Sequence, residues 1–287
     1  MPELPEVETI KRELAELIKN KKIKSVDINL AKQVKAPKAK FLKLVQGQKI
    51  FAVRRRAKMI IFDLQNGWHL LFHLKMTGQL IYRAKNGRLA GGGHPIRQDL
   101  QNLPNKYSHV IFNFQDGSRL FFNDLRQFGW VKLLNKKELE KIESEYGLEP
   151  LEKEFTLEKF KELMNKKQGK VIKPLLLEQD LIAGVGNIYA QEACFCAGIM
   201  PNRRVKDLSE EELKKLHSCL VKILKLAVEK KGTSSDNYVD AFGRRGSMAK
   251  FLKVYDRRGK KCYKCRGDIK VMKQGSRTTA YCPGCQR

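Results

Sequence analysis

The chain has 287 residues, a length typical of two domains, with 42% apolar and 31% charged residues, which excludes a disordered chain. Its 58 lysine and arginine residues outnumber its 31 aspartate and glutamate residues, and the net charge of +27 predicts nucleic acid as the partner. No apolar run approaches the roughly 20 residues that span a bilayer, and the acidic residues 1–6 do not resemble an export signal. We therefore expect a cytoplasmic protein without a membrane partner.

The first part of the sequence predicts one helix followed by β-strands. Val7, Ile10 and Leu14 recur at helical spacing across residues 5–20. Apolar runs separated by turn residues predict strands at Ala57–Leu64, Trp68–Leu74, His109–Phe114, Arg119–Asn123 and Gly129–Leu134. We expect residues 1–135 to form a helix and a mostly antiparallel β-sandwich. Between Tyr82 and Tyr107, the triple glycine Gly91–Gly93 lacks the context of a phosphate-binding loop and is expected to be a plain flexible loop.

The pattern becomes helical after residue 135. Helices are predicted at Lys136–Tyr146, Leu157–Lys167 and Gly186–Ala197, the last ended by Gly198. Ser209 and Glu212 have the spacing of a capping box, and they open a long amphipathic helix that ends before Gly232.

The C-terminal tail has the cysteine spacing of a metal site. Two C-x-x-C pairs, Cys262 with Cys265 and Cys282 with Cys285, are separated by 16 residues. Four thiolates in two tight turns suit the tetrahedral preference of Zn²⁺, so we expect one structural zinc ion and no organic cofactor. Two disulfides are the alternative. The odd total of seven cysteines indicates thiols that are free or metal-bound. Cys194, Cys196 and Cys219 are expected to be small core or half-buried residues, with a redox role as the alternative.

Pro2 is a candidate nucleophile as well as an ordinary residue before a helix. Methionine is generally removed before a small second residue, which would leave Pro2 with a free secondary amine. An α-amine titrates near pH 8, well below lysine, so more of it is neutral and nucleophilic at pH 7. Such an amine can condense with a sugar aldehyde carbon to give a cationic iminium.

Several motifs resemble those of the bacterial formamidopyrimidine-DNA glycosylases. They run in order along the whole chain: the start Met1–Thr9, Arg56-Ala57-Lys58, His73–Gly78, Arg126–Gly129, Gly184–Tyr189 and the four-cysteine tail with Arg277. The resemblance implies a multidomain α+β fold. Its parts would be a helix and β-sandwich catalytic domain (1–135), a helix–two-turn–helix DNA-binding domain (136–232), a lesion-capping loop (233–250) and a β-hairpin zinc finger (251–287).

The resemblance also implies the catalytic residues. Pro2 would attack the anomeric carbon, and Glu3 would donate a proton that opens the deoxyribose. Glu6 would support Pro2 or a water molecule, or else serve only the helix dipole. Lys58 would contact phosphate and assist β-elimination, and Arg277 would assist δ-elimination.

A second set of residues would hold the DNA. Because a damaged base inside a duplex is unreachable, it must be flipped out, and Met76, Arg126 and Phe128 would fill the vacated stack. His73, Asn187, Tyr255 and Arg277 would clamp the flanking phosphates. Tyr107 stands where a DNA-contacting histidine is common, and Lys167 is a weaker base-contact candidate. Thr233, Ser234 and Tyr238 could donate hydrogen bonds to the extruded base.

We therefore expect a monomeric, bifunctional DNA glycosylase and apurinic/apyrimidinic-site lyase that excises oxidised purines, such as 8-oxoguanine and formamidopyrimidines, from damaged double-stranded DNA. One alternative is the related endonuclease VIII branch, which prefers oxidised pyrimidines. An alternative of another class is a non-catalytic zinc-ribbon protein that binds nucleic acid. It accounts for the charge and the cysteines but gives no reason for Pro2, Glu3 or Asn187.

Overall fold

The first helix forms where the apolar spacing predicts it. Helix α1 covers Leu4–Ile18, and its apolar face, with Val7, Ile10 and Leu14, is buried. Pro5 lies in its first turn, where the missing N–H costs no hydrogen bond. Glu3 and Glu6 close a reciprocal capping box at its N-terminus, so the start of the helix is fixed by side chains as well as by packing.

A computed structural model describes residues 1–93, 102–233 and 247–287 of the chain. These residues form two compact units. The first unit comprises Met1–Ser144 and Lys230–Ala249, and the second comprises Glu145–Glu229 and Lys250–Arg287. The four-part division that the resemblance implies stays a prediction.

The first unit contains two β-sheets. After α1 its elements are β1 (Ile23–Ile28), β2 (Val34–Lys35), α2 (Lys38–Val45), β3 (Ile50–Arg56), β4 (Met59–Leu64), β5 (His69–His73), β6 (Gly78–Arg83), β7 (Leu89–Gly93), β8 (Ser108–Phe114), β9 (Arg119–Asp124), β10 (Trp130–Leu134) and α3 (Lys136–Ser144). The two five-stranded sheets have the orders β1-β8-β9-β6-β7 and β2-β10-β5-β4-β3. All their pairs are antiparallel except β2 with β10.

The two sheets share one apolar core. Phe72 of β5 lies 6.0 Å from Phe112 of β8 and 5.8 Å from Phe122 of β9, measured between ring centroids, so rings of the two sheets meet edge to face. Val7, Ile10 and the rest of the buried face of α1 join the same cluster. The predicted helix and antiparallel β-sandwich are therefore confirmed.

The segment between Tyr82 and Tyr107 contains a strand that the sequence analysis did not predict. Gly91–Gly93 belong to β7, which pairs antiparallel with β6 and places Gly92 opposite Leu80. The expectation of a flexible loop was wrong for these residues, because backbone hydrogen bonds to β6 hold a segment that has no side chains to pack. Residues 94–101 lie outside the described part of the chain.

The second unit is helical and ends in a two-stranded hairpin. Its elements are α4 (Leu157–Asn165), α5 (Ile172–Leu175), α6 (Asn187–Ala197), α7 (Glu210–Glu229), β11 (Lys270–Gln274) and β12 (Arg277–Tyr281). Gly198 ends α6 with a φ of +77°, a conformation that glycine adopts without strain. The Ser209 hydroxyl accepts from Glu212 N–H and Glu212 Oε2 accepts from Ser209 N–H, which confirms the capping box.

The helical cysteines differ in part from the prediction. Cys194 is fully buried, and burial raises the pKa of its thiol to about 12, so it is the expected inert core residue. Cys196 and Cys219 instead form a disulfide that links α6 to α7. The expectation of thiols that are free or metal-bound was wrong for this pair. The two cysteines are 23 residues apart in the chain, and the packing of α6 against α7 brings them together. Among the described helices, none has the length and apolar composition required to cross a membrane.

Candidate functional site

The N-terminus of α1 holds two buried carboxylates. Glu3 and Glu6 are each 3% exposed, and Glu6 Oε2 accepts a hydrogen bond from Glu3 N–H at 2.9 Å. Glu6 Oε1 accepts from Thr233 N–H at 2.7 Å, beside Gly232, where a Cβ would lie 2.8 Å from the same carboxylate oxygen. Glu6 thus fixes the backbone of Glu3, next to Pro2, and the start of the segment predicted as a capping loop.

That segment is described only at its two ends. Thr233 is buried, and its backbone N–H is engaged by Glu6. Ser247 donates its backbone N–H to Lys230 O at 2.9 Å, so the residues just before and near the end of the segment are joined by a backbone hydrogen bond. Ser234 and Tyr238, predicted to contact the extruded base, lie outside the described residues.

Lys58 lies in the turn between β3 and β4 and is 7% exposed. Ala57, the preceding residue, has a φ of +52°, which is costly for a residue other than glycine. Arg55 holds this turn by donating to Ala57 O at 3.1 Å, while its Nε donates to Glu8 at 2.9 Å. A buried ion pair between α1 and β3 therefore orients the turn that carries Lys58.

His73, at the end of β5, is held as a neutral imidazole. Burial, and secondarily the charges of Lys75 and Lys58, lowers the pKa of His73 to about 3. Nδ1 accepts a hydrogen bond from Lys75 N–H at 3.0 Å, so the proton of the neutral ring resides on Nε2. An N–H donor near two lysines suits a phosphate oxygen, and the phosphate contact of His73 stays a prediction.

The lowered pKa of His73 gives a testable pH dependence. The unfolded chain binds a proton at His73 below pH 6.5 and the folded chain does so only near pH 3, so stability falls as the pH falls through this window. We expect the free energy of unfolding of the wild type, relative to His73→Gln, to fall by about 1.4 kcal/mol between pH 7.5 and 5.5. Urea unfolding at both pH values measures this, and an unchanged difference would contradict the buried neutral ring.

Met76 and Phe128, predicted to fill the base stack, are exposed although both are large and apolar. Met76 is 41% exposed and Phe128 is 54% exposed, and the Arg126 guanidinium lies 4.9 Å from the centre of the Phe128 ring. Arg126 N–H donates to Thr77 Oγ1 at 2.9 Å, and Thr77 is the neighbour of Met76. The structure thus brings the three predicted residues onto two adjoining loops of the first unit.

Tyr107 lies beside these loops. Its carbonyl accepts from Asp124 N–H at 3.1 Å, and the Lys106 ammonium lies 5.1 Å from the centre of its ring. His109, two residues on, is buried, and its Nε2 contacts Asp124 O at 2.8 Å. Tyr107 is therefore half-buried next to the loop that carries Arg126, whereas His109 is occupied within the fold.

In the second unit, Asn187 begins α6 with its amide orientation fixed. The buried Lys173 donates from Nζ to Asn187 Oδ1 at 2.5 Å. Since an ammonium group can only donate, Oδ1 must face Lys173, which leaves Nδ2 as the donor. Nδ2 donates to Thr278 O at 3.2 Å, so Asn187 lies next to the hairpin residue that follows Arg277. Lys173 was not predicted as a site residue, although a lysine between the apolar residues Ile172 and Pro174 was a signal.

Tyr255 is positioned by a buried carboxylate that the sequence analysis also missed. Glu192 of α6 accepts hydrogen bonds from the backbone N–H groups of Lys253, Val254 and Tyr255, at 2.8 to 3.1 Å. Burial raises the pKa of Glu192, and these hydrogen bonds oppose the shift. Glu192 is the only charged residue of α6, and this was the available signal. Lys167, two residues after the end of α4, is half-buried.

The four cysteines of the tail form one cluster. The Sγ atoms of Cys262, Cys265, Cys282 and Cys285 all lie within 4.8 Å of one another. The Sγ pairs Cys262–Cys285 and Cys265–Cys282 are separated by 3.8 and 3.4 Å. A zinc tetrahedron with bonds of about 2.3 Å has S–S edges of about 3.8 Å, so the cluster fits a metal ion of this kind.

Comparison with known proteins gives one family over the whole chain. The formamidopyrimidine-DNA glycosylase N-terminal domain matches residues 1–131, and the H2TH domain of the same family matches residues 146–238. The formamidopyrimidine-DNA glycosylase of Carboxydothermus hydrogenoformans is 41% identical over 288 residues, covering 100% of both chains. That of Pelotomaculum thermopropionicum is 38% identical over 290 residues, covering 100% of this chain and 99% of the relative.

Solved structures give the same result. Wild-type Lactococcus lactis Fpg in complex with a DNA containing N7-benzyl-Fapy-dG has a TM-score of 0.87 and 32% identity, covering 100% of both chains. The complex of Lactococcus lactis Fpg with a DNA containing an abasic site has the same TM-score of 0.87 and identity of 32%, covering 99% of both chains. The chain described here therefore belongs to the formamidopyrimidine-DNA glycosylase family.

Proposed function

We propose that the chain is a bifunctional DNA glycosylase and abasic-site lyase for oxidised purines in duplex DNA. The observation that carries this proposal is the capping box at the N-terminus of α1, which holds the Glu3 carboxylate beside Pro2. Once Met1 is removed, the Pro2 amine attacks the anomeric carbon and Glu3 donates the proton that opens the sugar. The damaged base leaves, and Pro2 remains bound to the sugar as an iminium.

Strand cleavage follows from the same intermediate. The cationic iminium acidifies the adjacent sugar protons, so β-elimination and then δ-elimination break the two flanking phosphate bonds. Lys58, in its fixed turn, contacts phosphate and assists the first elimination. Arg277, at the exposed start of β12, assists the second. Glu6 keeps Glu3 in place through its hydrogen bond to the Glu3 backbone.

Damaged double-stranded DNA is the proposed partner. The net charge of +27 supports it, as does the fact that the Lactococcus lactis relatives are bound to damaged DNA. His73 offers a neutral N–H donor, and Asn187 offers an amide N–H donor, to the flanking phosphates. Tyr107, Lys167 and Tyr255 are further proposed contacts. We propose that the protein acts as a monomer in the cytoplasm.

The four-cysteine cluster is proposed to hold one structural Zn²⁺. The ion would supply the folding energy of the tail, where few side chains are buried, and would keep the β11–β12 hairpin in the geometry that presents Arg277. Gln191 of α6 anchors the same hairpin by accepting from Ala280 N–H at 2.7 Å.

A panel of lesion duplexes tests the proposed substrate class. We expect 8-oxoguanine and formamidopyrimidine duplexes to be cut faster than duplexes with oxidised pyrimidines, leaving phosphate at both ends of the gap. Product analysis on denaturing gels measures both points. Faster cutting of oxidised pyrimidines would support the endonuclease VIII branch, and tight binding to undamaged DNA without cleavage would support a zinc-ribbon protein.

A further inference from the structure

Asp124, at the end of β9, is a buried carboxylate to which the sequence analysis assigned no role. It is 0% exposed, although it precedes four consecutive exposed residues, Leu125–Phe128. A fully buried aspartate is costly unless hydrogen bonds compensate its charge. The partners of Asp124 therefore indicate what its carboxylate does.

Four donors surround the carboxylate of Asp124. Oδ2 accepts from Gly129 N–H at 2.6 Å and from Gln33 Nε2 at 3.4 Å. Oδ1 accepts from Arg126 N–H at 3.2 Å and from the Thr77 hydroxyl. Arg126 and Gly129 bracket the exposed loop, while Thr77 belongs to the neighbouring turn, Leu74–Gly78. Asp124 thus joins two loops that carry Met76 on one side and Arg126 and Phe128 on the other.

Both loops have conformations that need such support. Gln127 has a φ of +57° and Lys75 a φ of +52°, and neither is a glycine. At Gly129 a Cβ would lie 2.9 Å from the Phe122 ring and 3.0 Å from Asp124 Oδ2. The backbone at the end of the loop therefore packs so closely against β9 that a larger side chain would not fit at this position. Charge-assisted hydrogen bonds to the backbone on both sides of Gln127 hold a loop that would otherwise relax.

We infer that Asp124, acting with Thr77, is a positioning residue that holds Met76, Arg126 and Phe128 as one rigid wedge for insertion into the base stack. This inference rests on the proposed function, because it assumes that the wedge replaces an extruded base. A wedge that is ordered before binding loses little conformational freedom on insertion, so more of the binding energy remains to offset the cost of base flipping. Asp124 itself does not contact the DNA.

Two substrates separate this role from catalysis and from folding. Excision of a lesion from a duplex requires the wedge, because extrusion of the damaged base leaves a gap opposite a stacked base. An abasic site in single-stranded DNA requires the catalytic residues but not the wedge, because there is no opposite strand to support. A 2-aminopurine beside the lesion reports unstacking by its fluorescence.

We expect Asp124→Asn and Thr77→Val to slow single-turnover excision from the duplex at least tenfold and to reduce the fluorescence rise. Both should cleave the single-stranded abasic site at the wild-type rate. Thr77→Ser, which keeps the hydroxyl, should restore duplex excision to within about threefold of wild type. Asp116→Asn is the control for the change from aspartate to asparagine, and it should leave both rates unchanged. Asp116 is exposed in the turn at the other end of β9, where it accepts from Ser118 and pairs with Lys21.

Wild-type duplex excision by Asp124→Asn, or equal slowing on both substrates, would overturn the inference. If Asp124→Asn does not fold, as judged by circular dichroism, the Thr77→Val and Thr77→Ser pair decides the question, and equal duplex rates for the two variants would overturn it. A wild-type protein that cleaves neither substrate would overturn the proposed function, and the inference with it. If the wild-type protein cleaves both substrates, the proposed function stands and the variants alone decide the inference.

Discussion

Glu3→Gln is expected to slow excision of 8-oxoguanine by about 10²- to 10⁴-fold, the range for loss of a general acid. The glutamine oxygen can still accept the capping hydrogen bond of α1, so the local fold is retained while the transferable proton is lost. Pro2→Gly should reduce the rate by at least as much, because a primary amine replaces the secondary amine whose condensation product carries a fixed positive charge. Single-turnover cleavage of a lesion duplex measures both.

Glu13→Gln is the matched control for Glu3→Gln. Glu13 is also a buried glutamate of α1, 8% exposed, but it pairs with Lys231 at 2.8 Å. This variant should keep the wild-type rate of cleavage and lose only stability. Equal losses in Glu3→Gln and Glu13→Gln would mean that the effect comes from helix packing and not from proton transfer.

Removal of the metal is expected to have the second large effect. Cys282→Ser should lose the one zinc ion per chain and reduce lesion cleavage at least a hundredfold, because metal binding supplies about 10–16 kcal/mol of folding energy in comparable small sites. The loss should be local, with faster amide hydrogen exchange confined to about residues 250–287 and unchanged exchange in the β-sandwich. Metal analysis and hydrogen-exchange mass spectrometry measure the two effects.

Cys194→Ala provides the control for cysteine replacement. Cys194 is buried in α6 and lies outside the four-cysteine cluster, so this variant should keep its zinc and its cleavage activity. A metal-free Cys282→Ser protein that cleaves at the wild-type rate would contradict the proposed role of the tail.

The sequence predicted most of the elements that carry their own local signals. The helical spacing of α1, the turns between apolar runs in the sandwich and the capping box at Ser209 all depend on nearby residues, and each is confirmed. The four-cysteine cluster was predictable for the same reason, since its ligands come in two short pairs. The family models in turn confirm the family that the resemblance predicted from motifs distributed over the whole chain.

Contacts between residues distant in the chain could not be read from local patterns. The Cys196–Cys219 disulfide, between cysteines 23 residues apart, depends on how α6 packs against α7. The strand at Gly91–Gly93 was missed for a different reason, because three glycines carry no apolar pattern and the strand forms by pairing with β6. The same limit applies to the candidate site. Lys173 contacts Asn187, and Asp124 contacts Thr77 next to Met76, and only the fold brings the members of each pair together.

The site of covalent attachment tests the central claim most directly. Wild-type protein is incubated with an 8-oxoguanine duplex and borohydride, and the trapped adduct is digested and mapped by mass spectrometry. We predict that the DNA remnant is attached to the nitrogen of Pro2, in protein from which Met1 has been removed. An adduct on a lysine side chain, or full activity in protein that retains Met1, would contradict the account.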